Sequence, residues 1–128
     1  MQVPGESISP KKAKQECKAL RDERPDLKPK LDLPKAVYFD QTAINAVMSV
    51  RGAVGVRIYL GVTEKKALNL MLVAVDAKGN DILPDEGTEP RSIRSAAKSA
   101  GDDDPIIVNH GQYCPPTCSD ENYLNGGN

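Results

Sequence analysis

The clearest periodicity in the chain is an alternation. Residues 54–62, Val-Gly-Val-Arg-Ile-Tyr-Leu-Gly-Val, place apolar side chains at every second position, and Ala67–Val75 is apolar at most positions. A period of two marks a strand. The polar Thr63-Glu64-Lys65-Lys66 between the runs predicts a hairpin with a four-residue connection. That loop length sets Val54 against Val75, Val56 against Val73 and Ile58 against Met71 on an apolar face. Arg57 then faces Leu72, and Tyr59 faces Leu70, on a mixed face.

The flanking segments carry weaker patterns. Ser9-Pro10 reads as the N-cap and first turn of a helix with Ala13, Cys17 and Leu20 on one stripe. Pro25, Pro29 and Pro34 predict extended or turn-like backbone after it. Ala36–Phe39 reads as a short strand, and Asp40 caps a helix over 40–51 that buries Ala43, Ile44, Val47 and Met48 and ends at Gly52. Asp76-Ala-Lys-Gly-Asn80 predicts a turn into a short strand at 81–83. A short helix over 92–99 and a strand near 105–109, carried by Ile106, Ile107 and Val108, complete the pattern. Residues 109–128 are irregular, with 125–128 expected to fray.

These elements predict an α+β fold: a small antiparallel β-meander with a packed helix and irregular termini. One domain over 1–128 is expected, with its core at about 36–84 and 105–124. Composition agrees once it is taken by region. The chain of 128 residues is only 39% apolar, but positions 36–83 hold 28 of the 50 apolar residues. The low average describes a small core wrapped in polar, Pro- and Gly-containing chain.

Charge and composition also remove function classes. The net charge is −1, with +3 over 1–35, +2 over 36–75 and −6 over 76–128. A dedicated nucleic-acid binder carries a basic field that this chain lacks. No apolar run reaches the length of a membrane span, and Met1–Pro10 has neither the basic nor the apolar region of a signal peptide. Three cysteines, an odd and low number, argue against a disulfide-stapled secreted fold and for a reducing, cytoplasmic setting.

Two sets of residues carry candidate chemistry. His110, Cys114 and Cys118 are spaced H-x3-C-x3-C, and His110 is the sole histidine. Imidazole and thiolate ligands suit zinc or iron, with Cys17 or Asp120 as a fourth ligand. A Cys114–Cys118 disulfide is a further alternative, disfavoured in a reducing compartment. The default for both cysteines is packing, with Pro115-Pro116 shaping the turn. A Cys114 nucleophile with His110 as base lacks a third orienting group, so no catalytic residue is assigned. The run Asp102–Asp104 has no EF-hand spacing and reads as solvated loop. Arg57 and Tyr59 project from one face of the central strand, where they are candidates to bind an anion or a peptide. The alternative is an Arg stem lying over apolar neighbours with its head in water.

The stretches Gly55-Val-Arg-Ile-Tyr-Leu-Gly61, Asp76-Ala-Lys-Gly79-Asn-Asp81 and Cys114-Pro-Pro-Thr-Cys118 resemble a group of small uncharacterised bacterial proteins. That group shows GxRIYxG, DxxGND and C-terminal CPPxC motifs, and the resemblance spans about residues 40–124. It implies no activity. The expectation is therefore a non-enzymatic binding or protein-interaction module without a cofactor. Its partner would be another protein or a second copy, met around Arg57, Tyr59, Leu68 and Leu70, and not nucleic acid or membrane. The alternative is a small metal-binding protein, zinc being the candidate, that uses His110, Cys114 and Cys118.

Overall fold

A computed structural model describes residues 5–98, 101 and 103–126. Its elements are α1 (Pro10–Leu27), β1 (Ala36–Tyr38), α2 (Gln41–Met48), β2 (Gly55–Val62), β3 (Leu68–Val75), β4 (Asp81–Ile82), α3 (Ile93–Ala97) and β5 (Gln112–Cys114). The architecture is α+β. A three-stranded antiparallel sheet runs in the order β2-β3-β4, and β1 and β5 form a separate two-stranded ladder.

The helix starts follow from local capping chemistry. Ser9 accepts a hydrogen bond from the Lys12 amide, Asp40 from the Ala43 amide and Ser92 from the Ser95 amide. Each satisfies a backbone donor that the first helical turn leaves without a partner. α1 runs past the expected break at Pro25 to Leu27 and buries none of its residues. It is held from outside the core: Arg21 donates to the Leu124 carbonyl and Arg24 to the Leu33 carbonyl. The first of these bonds sets α1 against the C-terminal segment.

The hairpin register differs from the sequence expectation by one residue. Gly55 faces Val75, Arg57 faces Val73, Ile58 faces Leu72 and Tyr59 faces Met71. The cause is the loop. The Lys66 amide donates to the Thr63 carbonyl, Lys66 takes φ 64°, and the Thr63 amide donates to Ala67. A turn followed by a left-handed residue closes a three-residue connection over 64–66, one shorter than expected. The observed register also sorts the faces more completely. Val56, Ile58, Leu60 and Val62 share one face with Leu68, Leu70, Leu72 and Ala74. The other face carries Gly55, Arg57, Tyr59 and Gly61 with Asn69, Met71, Val73 and Val75.

The core forms where α2 and α3 cover one end of the apolar face. Ala43, Ala46, Val47 and Val50 pack with Leu72, Ala74, Ala96, Ile106 and Val108, with Phe39, Ala53, Val56 and Ile82 at the margin. Small residues at Ala46 and Ala96, both essentially unexposed, permit close packing in this layer. The expected strand near 105–109 contributes a single bridge, Val108 to Leu72, with hydrogen bonds in both directions.

The second ladder was not foreseen as a pair. Ala36 faces Cys114, Val37 faces Tyr113 and Tyr38 faces Gln112. The Tyr113 hydroxyl donates to the Leu68 carbonyl and so ties this ladder to β3. Gly111 permits the approach, since a Cβ there would lie 2.8 Å from the Tyr38 carbonyl oxygen and 2.6 Å from Val37 Cγ1. The expected fraying at 125–128 does not begin at Asn125. That residue is buried, and its side-chain amide donates to the Ser119 and Asp120 carbonyls. Residues 127–128 lie outside the described residues.

Candidate functional site

The mixed face of the sheet brings Arg57 and Tyr59 together, and adds Asp81, which the sequence placed at the start of a short strand without a site role. Arg57 reaches from β2 across β3 to Asp81 on β4, donating to its carboxylate and, at 3.2 Å, to the Gly79 carbonyl. The Tyr59 hydroxyl donates to the other carboxylate oxygen of Asp81. The pair spans the apolar ground between β2 and β4, where Val73 is only 2% exposed although it faces away from the main core.

This triad sets its own protonation. Hydrogen bonds from Tyr59 and then from Arg57, with the guanidinium charge, hold the Asp81 carboxyl below the ordinary carboxylate range against the opposing effect of burial. The Tyr59 phenol is raised, first by its hydrogen bond to Asp81, then by burial and the carboxylate charge. Arg57 is raised too, chiefly by Asp81, and stays protonated. The donors of Arg57 and Tyr59 are thus engaged within the chain, and an anionic ligand there would compete with Asp81.

The three residues of the C-terminal motif line two clefts. Cys114 and Cys118 are bonded to each other as a disulfide, so neither sulfur is a thiolate ligand or nucleophile in this structure. His110, exposed at φ 55°, lines a cleft of about 610 Å³ with Tyr38, Asp40, Asn45 and Arg94. The disulfide borders another cleft, of about 570 Å³, together with Cys17, Val37 and Leu124. Among the described residues, no group of three His, Cys, Asp or Glu side chains is placed to hold a metal ion. The peptide bonds before Pro115 and Pro116 are both cis.

The feature without a partner is the outer edge of β2. Leu72 exchanges hydrogen bonds with Val108, and the Leu68 amide donates to Asp32, both on the side of β3 away from β2. Backbone groups alternate sides along a strand, so residues 69, 71, 73 and 75 are the ones that bond to β2. Across the register their partners are Gly61, Tyr59, Arg57 and Gly55. Val56, Ile58, Leu60 and Val62 therefore point their N–H and C=O groups outward, to an edge with no neighbouring strand among the described residues. Their side chains are also uncovered at the far end: Ile58 is 55% exposed, Leu60 71% and Val62 59%.

The two edges of the sheet differ in protection. β4 is two residues long and is followed within two positions by Pro84, both common ways to blunt an edge. β2 is eight residues long, has no proline, and carries Arg57 as its one charged side chain. That charge is drawn inward across the sheet to Asp81. The available signal in the sequence was the lack of Lys, Glu or Pro at positions 56, 58, 60 and 62; reading it required knowing which strand was outermost.

Comparison with known proteins yields no match to a protein-family model, to a curated protein or to a solved structure. Among the described residues, no helix is long and apolar enough to cross a membrane.

Proposed function

We propose that this chain is a non-enzymatic protein-interaction module that takes up an extended strand along the outer edge of β2. The observation that carries the reading is the coincidence, on one strand, of outward-directed backbone groups and exposed apolar side chains at Ile58, Leu60 and Val62. Main-chain hydrogen bonds supply affinity in such strand addition, and alternate side chains supply selectivity. The Arg57–Tyr59–Asp81 triad serves here as a brace that holds β2 and β4 across β3, and its side chains leave the outer edge of β2 open.

The disulfide bears on location. The cytoplasmic expectation rested on an odd and low cysteine count; the Cys114–Cys118 bond pairs two of the three and favours a compartment that keeps the bond closed.

Selection of displayed decapeptides tests the interaction reading. Alternating apolar peptides should enrich on the wild-type chain and lose binding to Leu60→Pro. Leu60 donates outward, so proline there blocks the incoming strand without removing a β2–β3 hydrogen bond. Enriched peptides that bind both proteins equally would overturn the reading.

A further inference from the structure

We infer that the strand received by this edge is β2 of a second copy of the chain, paired antiparallel across a two-fold axis at Tyr59. The inference rests on the strand-addition reading above and names its partner.

The argument is one of register. Two edges pair only where outward-directed residues meet outward-directed residues, so Val56, Ile58, Leu60 and Val62 must face members of the same set. The alignment centred on Tyr59 uses all of them: Val56 opposes Val62 of the second copy, and Ile58 opposes its Leu60. Each such pair exchanges both of its main-chain hydrogen bonds. Every side chain in these pairs is apolar and lies on one face, so the exposed Ile58, Leu60 and Val62 of the two copies shield one another.

The opposite face fits as well. Tyr59 meets Tyr59 at a position without direct hydrogen bonds, where side chains approach most closely. Arg57 meets Gly61, which has no side chain of its own; the Met71 methyl fills that place, 2.7 Å from where a Cβ would be. No like charges are opposed, because Arg57 is the sole charged residue of the strand and its guanidinium is turned toward Asp81. The product is a continuous six-stranded sheet in the order β4-β3-β2-β2-β3-β4, with blunted β4 strands at both ends.

Sedimentation equilibrium on the full chain, carried to about 1 mM, reads the association directly. The expected mass rises toward two chains with concentration. Leu60→Pro and the milder Leu60→Lys each weaken association by about tenfold or more while far-UV circular dichroism is retained. In a Cys17→Ser background, Tyr59→Cys should form an inter-chain disulfide under mild oxidation, and Leu60→Cys should not, since Leu60 opposes Ile58. A chain that stays monomeric overturns self-pairing, while peptide selection separately decides whether the edge binds strands at all. A dimer unaffected by either Leu60 variant, or one without the Tyr59→Cys cross-link, also overturns this register.

Discussion

Opening the Cys114–Cys118 bond should cost the protein a calculable amount of stability. The bond joins residues four apart in sequence, and its principal effect is to restrict the unfolded chain. The chain-entropy relation for a closed loop of about five residues gives about 7 cal/mol/K, or about 2 kcal/mol at 25 °C. Native contacts are expected to survive reduction. Cys114 is buried at the end of β5, its carbonyl accepts from the Lys35 amide at 2.7 Å, and the Thr117 amide donates to the Tyr113 carbonyl at 2.9 Å. The assay is urea unfolding of the oxidised protein, the reduced protein and the Cys114→Ser/Cys118→Ser double variant. Circular dichroism is the readout, because the chain has no tryptophan. With a urea slope of about 2 kcal/mol/M, reduction should lower the midpoint by about 1 M, and the double variant should match the reduced form. Zinc added to the oxidised protein should leave the midpoint unchanged, since both sulfurs are in the bond. A loss below about 0.5 kcal/mol on reduction would refute the reasoning, because it would mean that the two prolines already restrict the unfolded loop as much as the bond does.

Further outcomes follow from other parts of the structure. Asp81→Asn should lower the melting temperature at neutral pH. The wild-type advantage should hold down to about pH 4 and disappear as acid protonates Asp81 below its ordinary range, because a carboxyl held low in the folded state stabilises only while ionised. A melting-temperature difference that stays constant to strongly acid pH would contradict this. Val47→Ala, at the largest fully buried side chain, should cost about 2 kcal/mol in urea unfolding, combining lost transfer energy with a residual cavity. Gly111→Ala should destabilise by about 1–3 kcal/mol, since its Cβ would press on the Tyr38 carbonyl and on Phe39. Amide exchange should show that loss concentrated in the β1–β5 ladder.

What the sequence determined by itself is local. The caps at Ser9 and Asp40 are legible because the side chain and the amide it satisfies are three residues apart. The hairpin and the apolar concentration over 36–83 are legible because alternation is a property of neighbours. The register was not, because a single left-handed residue at Lys66 shortened the loop and shifted every pair by one. The pairing of β1 with β5, the cleft that His110 shares with Tyr38, Asp40 and Asn45, and the reach of Arg57 and Tyr59 to Asp81 all join residues more than about twenty positions apart. No local preference encodes such contacts; they exist only once the elements have packed. The candidate site is the extreme case. Its residues were visible as a strand, but that they form an open edge is decided by which strand lies outermost, and therefore by where β4 and Val108 have taken the other side of β3.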